Sequence, residues 1–165
     1  MLVGLMSDTH DNLPLIDKAI ARMNEAKVGL VLHAGDYIAP FVIPRFRELR
    51  SKLVGVFGNN DGDHELLKKR FSENPNLEIR DSFAEVAAEG TRIALLHGSD
   101  RELLKSLIAG DNYDFIVHGH THSVEMYRKG KTLVVNPGEV CGYLTGKASI
   151  AVLDTIRREA TIIEL

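Results

Sequence analysis

Phe115-Ile116-Val117-His118-Gly119-His120-Thr121-His122 joins a wholly apolar run to three imidazoles at alternate positions. A run of this kind, bounded by polar residues and Gly, reads as a buried strand, and open α/β sheets bind their ligands just beyond such strand ends. Residues two apart on extended backbone point to the same side, so His120 and His122 can approach one centre or two adjacent ones. Gly119 between them lets backbone come close. The alternative is a polar loop that happens to hold three histidines, and the chain upstream decides between the two.

Upstream, one pattern recurs three times. Leu2 to Met6 is uniformly apolar, as a strand buried on both faces of a helix-covered parallel sheet must be, and it runs into Ser7-Asp8-Thr9-His10-Asp11-Asn12. Asp11 or Asn12 is placed to cap a helix that has Pro14 in its first turn. Leu15, Ile16, Ala19, Ile20 and Met23 then repeat at helical spacing to about Ala26. Leu30-Val31-Leu32, the loop His33-Ala34-Gly35-Asp36 and a weaker amphipathic helix over 40–49, opened by Pro40 and interrupted by Pro44, form the second unit. The third has Leu53 to Phe57 as strand, Gly58 to Asp63 as loop and Glu65 to Phe71 as helix. Three βα units in succession imply a parallel sheet with right-handed crossovers, so all three loops leave the same edge.

Downstream the texture changes. Phe83 to Ala88 and Ile93 to Leu96 read as a hairpin about Glu89-Gly90, whose second strand runs into His97-Gly98-Ser99. A helix over 101–109, with Leu103, Leu104, Leu107 and Ile108 on one face, leads to the strand 115–117. Strands over 124–128, 131–135, 150–153 and 160–163, with turns at Lys129-Gly130 and 155–158, suit antiparallel pairing. No linker and no repeat beyond the βα unit is evident, and 165 residues are one domain, 1–165, on the usual length prior.

A net charge of -3 with 26% charged residues describes an ordinary soluble surface. Lys68-Lys69-Arg70 and Arg157-Arg158 read as solvated faces, so nucleic acid is not required as a partner. The lone Cys141 excludes an internal disulfide and a Cys-based zinc site and points to a reducing, cytoplasmic setting. The apolar start is too short for a signal sequence or a membrane span, and no membrane association is expected.

Asp8, His10, Asp36, Asn59, His97, His120 and His122 all fall at or just beyond the ends of expected strands. Singly, each has an ordinary role as a cap, a turn residue or a packed imidazole. Their coincidence at every strand end points to metal. Oxygen and nitrogen donors without sulfur suit Mn²⁺, Fe²⁺, Zn²⁺, Ni²⁺ or Co²⁺. Seven donors exceed the needs of one ion, and Asp36, between two imidazole clusters, is the natural bridge of a pair roughly 3.5–4 Å apart. His33 and His118 read as packed or supporting imidazoles, and His64 as a surface residue.

Asp8-Thr9-His10, Gly35-Asp36, Gly58-Asn59, His97-Gly98 and Gly119-His120-Thr121-His122, in this order and over the whole chain, resemble the five motif blocks of the calcineurin-like metallophosphoesterases. The small size and Asn136-Pro137-Gly138-Glu139 are similar to the small, YfcE-like phosphodiesterase branch. The resemblance implies an α/β four-layer αββα sandwich with mixed parallel and antiparallel sheets. It implies one divalent ion on Asp8, His10, Asp36 and His122, and a second on Asp36, Asn59, His97 and His120, with Mn²⁺ the first choice and Ni²⁺, Fe²⁺, Zn²⁺ or Co²⁺ the alternatives. The implied activity is a metal-dependent phosphoric ester hydrolase acting on a small-molecule phosphodiester, with in-line attack by a hydroxide bridging the metals; a homodimer is compatible with it.

Two other readings share this framework: a phosphomonoesterase or nucleotidase on the same centre, and a non-catalytic scaffold like the retromer coat subunit of the same fold. The full set of ligand positions argues against the scaffold, and the lack of Arg or Lys in the motif loops argues against dianionic monoesters. One position departs from the family. Many members carry a histidine directly after the third-block asparagine, where it stabilises the transition state or protonates the leaving oxygen; here that position is Asn60. Asn60 can donate a hydrogen bond but no proton, so Asp36 and Asn60 are the expected catalytic residues, the latter orienting the phosphoryl group.

Overall fold

A strand that faces two cores at once must be apolar on both sides, and the computed structural model, which describes residues 1–165, shows the parallel strands in that position. In chain order the elements are β1 (Leu2–Met6), α1 (Leu13–Glu25), β2 (Leu30–His33), a 3₁₀ helix (Pro40–Glu48), β3 (Lys52–Gly55), α2 (His64–Ser72) and β4 (Leu77–Ile79). There follow β5 (Phe83–Ala88), β6 (Thr91–Leu96), α3 (Arg101–Gly110), β7 (Phe115–Val117), β8 (Val124–Lys129), β9 (Thr132–Pro137), β10 (Ser149–Asp154) and β11 (Glu159–Glu164). One sheet has the order β11-β10-β1-β2-β3-β4 and the other β5-β6-β7-β9-β8.

Alternate residues of each strand feed different cores. Val3 and Leu5 of β1, Leu32 of β2 and Val54 of β3 meet Leu95, Phe115, Val117 and Val135 of the second sheet. Met6, Val31 and Leu53, from the same strands, pack instead beneath Ile16, Ile20 and Met23 of α1, Phe46 of the 3₁₀ helix and Leu67 and Phe71 of α2. On the far side, α3 lays Leu103, Leu104, Leu107 and Ile108 on Ala94, Leu96, Ile116 and Val134. Helices, sheet, sheet and helix therefore stack as the αββα sandwich, with parallel and antiparallel pairs in both sheets.

Two local expectations change. The stretch expected as an amphipathic helix over 40–49 is a 3₁₀ helix, Pro40–Glu48. Pro44 within it offers no N–H and obstructs an α-helical turn, and a tighter, short-range helix tolerates the interruption. The short strand β4 has no counterpart in the sequence reading; three residues carry too little periodicity to announce themselves, and only pairing with β3 defines it.

Register brings the loops together. Met6 stands beside His33, and His33 beside Gly55, so the loops after β1, β2 and β3 begin at one level. In the second sheet Leu95, Val117 and Val135 are aligned, so His97, the 118–122 segment and Asn136 leave at a common end.

Candidate metal centre

Five of the seven candidate ligands have left-handed backbone: Asp8 (φ 53°), His10 (φ 38°), Asp36 (φ 63°), His120 (φ 69°) and His122 (φ 60°). Such conformations cost a non-glycine residue roughly 1–3 kcal/mol each and persist only where surrounding structure enforces them. The enforcement is visible. The amide of Asp8 donates to the Gly35 carbonyl at 3.0 Å, those of Thr9 and His10 to the Asp36 carbonyl at 3.1 Å, and that of His120 to Asp8 Oδ2 at 3.1 Å. Asp61 accepts from the amides of Asp36 (3.1 Å), Tyr37 (2.6 Å), Ile38 (2.9 Å) and Gly58 (2.7 Å), tying the second loop to the third. At position 119 a side chain would collide with Ser7 Oγ and Asp8 Oδ2, which is why glycine separates the two histidines.

The donors converge. Asp36 Oδ2 lies 3.3 Å from His10 Nε2 and 3.4 Å from His97 Nε2. Asp8 Oδ1 lies 3.3 Å from His122 Nε2 and 3.7 Å from His10 Nε2. The His97 and His120 rings are 5.1 Å apart, and those of His10 and His122 5.0 Å. Buried as they are, Asp8 Oδ1, His10 Nε2 and His97 Nε2 have no hydrogen-bond partner. Buried polar atoms left without partners cost about 1–3 kcal/mol each, and the convergence of these carboxylate and imidazole donor atoms fits a divalent cation. The electrostatics agree: the Asp36 and Asp8 carboxylates beside it, at 3.3 and 3.7 Å, raise His10 to about 9. Burial acts to raise Asp36, but the neighbouring His10 and His97 imidazoles, with the Asn60 amide, outweigh it and hold its carboxyl far below the usual range.

Ring orientation is set from behind. His97 Nδ1 is 2.8 Å from the Ala34 carbonyl, which can only accept, so Nδ1 carries the hydrogen and Nε2 keeps a lone pair toward Asp36. His122 Nδ1 donates to Glu139 Oε2 at 2.6 Å, leaving Nε2 toward Asp8. Glu139 is fully buried. Burial pushes its pKa up, but bonds from the Cys141 thiol, His122 and Thr145 prevail and bring it to about 2. Its oxygens also accept from the amides of Tyr143 and Leu144. Such carboxylate–histidine pairs typically govern metal affinity by 10–100-fold. Glu139→Gln is expected to weaken the ion at His122 by that factor while far-ultraviolet dichroism is retained, a change measurable by Co²⁺ titration. Unaltered affinity would remove Glu139 from any role in holding the ring.

Asn59 is exposed in the third loop and its side chain makes no hydrogen bond. Asn60, also exposed, donates through its backbone N–H to Asp36 Oδ1 (2.9 Å) and through Nδ2 to Asp36 Oδ2 (2.8 Å). His64 stacks on Phe57 at 4.0 Å on the surface. His118 is buried against the Gly119 carbonyl at 3.3 Å. The sequence reading gave Asp61, Glu139 and Cys141 no role in the site, noting Glu139 only within Asn136-Pro137-Gly138-Glu139 and Cys141 only as the single thiol. Cys141 brings its thiol within 4.8 Å of donor atoms of His10 and His122, while its S–H bonds Glu139 at 3.0 Å. The sequence signal for Glu139 is its place in the Asn136-Pro137-Gly138-Glu139 block, an acidic residue followed by the apolar Val140 and Cys141.

His33 links two loops. Its Nδ1 accepts from the Gly35 amide at 3.1 Å, so Nε2 holds the hydrogen and donates to Thr9 Oγ1 at 3.2 Å, which in turn reaches the Asp36 carbonyl at 3.3 Å. Burial pulls His33 down to about 3 from 6.5. The unfolded chain takes up this proton below pH 6.5 and the folded one does not, so acid destabilises. His10 works oppositely: its contribution is whole below 6.5 and is lost as the pH rises through about 9. The metal-free protein should therefore lose about 2 kcal/mol through His33 between roughly pH 6.5 and 4.5. His118 and His120, also shifted down chiefly by burial, add to the slope. Urea midpoints for wild type and His33→Gln measure it, and identical slopes would sink the assignment.

Residues 1–158 match the model of the calcineurin-like phosphoesterase superfamily domain. The chain is 40% identical over 159 residues to Phosphodiesterase MJ0936 of Methanocaldococcus jannaschii, covering 96% of each. It is 26% identical over 155 residues to Phosphodiesterase YfcE of Escherichia coli, covering 85% of this chain and 79% of that protein. A solved structure of an archaeal phosphodiesterase superposes with a TM-score of 0.96 at 39% identity, covering 100% of both chains. Zinc-bound Vps29 of Entamoeba histolytica, at 24% identity and a TM-score of 0.73, covering 99% of this chain and 91% of that one, shares the fold.

Proposed function

The chain belongs to the calcineurin-like phosphoesterase superfamily, and from that premise we propose that it is a phosphodiesterase whose divalent ions are held by Asp8, His10, Asp36, Asn59, His97, His120 and His122. The observation that carries the ligand set is the place of Asp36 Oδ2, 3.3 Å from His10 Nε2 and 3.4 Å from His97 Nε2, beside buried donor atoms with no other partner. Asp8, His10, Asp36 and His122 would serve one ion; Asp36, Asn59, His97 and His120 would serve the other, Asn59 turning inward from its exposed loop. Mn²⁺ is the first candidate, with Ni²⁺, Fe²⁺, Zn²⁺ and Co²⁺ behind it.

When bound, such ions supply Lewis acidity, which makes water a nucleophile near neutral pH and offsets charge on the phosphoryl oxygens. The chain's own residues supply placement. Ala34 and Glu139 hold the His97 and His122 rings with Nε2 forward. Asp61 locks the second and third loops together. Asn60 presents an exposed amide at the carboxylate of Asp36, where its N–H groups can turn to a phosphoryl oxygen and orient it for in-line displacement. No helix is long and apolar enough to cross a membrane. A cytoplasmic setting is proposed because the single thiol is buried beside the centre, where reducing conditions keep it intact.

The test is hydrolysis of bis(p-nitrophenyl) phosphate and p-nitrophenyl phosphate by metal-stripped protein reloaded with each ion in turn. Metal-dependent turnover with the diester ahead is expected. Preference for the monoester would convert the reading to a phosphomonoesterase, and metal uptake without hydrolysis would leave the scaffold.

A further inference from the structure

A cavity of about 370 Å³ opens against His122, between the ends of the two sheets. Val124 and Ile162 form its apolar wall; Ser123, Lys147 and Glu164 are its polar ones. Neither Lys147 nor Glu164 forms an ion pair, whereas the charged residues around the larger hollow of about 470 Å³ near α1 include the pair Arg45–Asp17 at 3.4 Å. Val124 is left 49% exposed, and the adjoining loop holds Tyr143 and Leu144 at 62% and 74% exposure although Glu139 pins their backbone. A volume in the lower range of small-molecule sites, an apolar face, and one unpaired charge of each sign form a pocket for an organic group with both donors and acceptors.

We infer that this cavity receives one ester substituent of the diester, and that it fits a hydroxylated, ring-bearing alcohol of nucleoside type. The inference rests on the diesterase reading above. Its chemistry follows from the walls. Val124 and Ile162 pack against ring faces, Glu164 accepts from hydroxyl or amino groups, and Lys147 donates to carbonyl or ring oxygens. A second phosphate is disfavoured because Glu164 shares the cavity with Lys147. His122 is the one proposed ligand that lines the cavity, so the inference places the scissile group on its Asp8 side and the substituent on the side of Ser123 and Thr145.

Two diesters with the same leaving group separate this from general diesterase activity: thymidine p-nitrophenyl phosphate and methyl p-nitrophenyl phosphate, assayed with the Mn²⁺-loaded full chain. The thymidine ester should have a kcat/KM about tenfold or more above the methyl ester, expressed mainly in KM, in line with what one filled pocket contributes. Val124→Trp, which fills the cavity from an exposed position, and Glu164→Gln should each pull that ratio back toward one. Equal kcat/KM in the wild type, or a ratio indifferent to Val124→Trp in protein of unchanged dichroism, overturns the inference. A binding measurement decides it without turnover. Amide shifts on titration with thymidine methyl phosphate should cluster at Ser123, Val124, Ile162 and Glu164. Their absence there overturns the subsite even in an active enzyme, while their presence in an enzyme that hydrolyses neither ester leaves the subsite standing and removes only the diesterase reading.

Discussion

Asp36→Asn removes metal-dependent hydrolysis, by about 10³-fold or more in kcat, while the chain stays folded. The carboxylate is the one group within 3.4 Å of imidazoles on both sides of the centre, His10 and His97. Asn matches it in size but offers one neutral oxygen in place of a shared anion. A single preorganised electrostatic contact is worth about 10²–10³ in rate, and here both proposed ions lose a ligand at once. Folding should suffer little, because the backbone of residue 36 keeps its own bonds: its amide donates to Asp61 at 3.1 Å, and its carbonyl accepts from Thr9 and His10 at 3.1 Å. Asn60 loses the carboxylate that takes both of its N–H groups, so the third loop should loosen in the metal-free variant. The check is turnover at saturating Mn²⁺ beside circular dichroism and bound-metal analysis. Activity near wild type, with a native spectrum, would take Asp36 out of the bridging position.

Asn60→His should speed poor leaving groups far more than good ones. Asn60 lies exposed at the rim of the centre, 2.8 Å from Asp36 through Nδ2, and has no proton to give. His64, the nearest alternative in sequence, is stacked on Phe57 at 4.0 Å and is held there. General acid catalysis typically contributes 10²–10⁴ in rate, so alkyl diesters should gain toward that range and aryl diesters little. The replacement also removes a clamp on Asp36, and an imidazole that captured an ion would lower every rate together. A leaving-group series on both proteins at matched metal content separates these outcomes. Parallel slopes would show that protonation at this position does not limit hydrolysis.

Much of this centre is legible in the chain before folding. A parallel strand followed by a helix returns the chain to the same edge of the sheet, so polar residues after Met6, His33 and Gly55 had to collect at one rim. The apolar runs at Leu2–Met6 and Phe115–Val117 announce strands buried on both faces because their alternate residues serve two different cores. Local pattern and chain direction thus determined the parallel strands, their common rim and six of the residues that converge there, while the αββα sandwich came from the resemblance of the motif blocks. The same logic named Asn59, whose side chain is exposed and makes no hydrogen bond.

What tertiary structure alone decided are the partners that no local pattern encodes. The His120 amide meets Asp8 across 112 residues, His97 meets the Ala34 carbonyl across 63, and Glu139 orients His122 across 17. Asp61 resembles Asp63 in the sequence, yet only Asp61 gathers four amides from two loops, while Asp63 caps α2. The strand β4 and the cavity beside His122 likewise depend on which surfaces meet. Periodicity tells each residue which face it occupies. Which residue waits opposite is settled by sheet register and by the packing of one sheet on the other, and those are properties of the assembled chain.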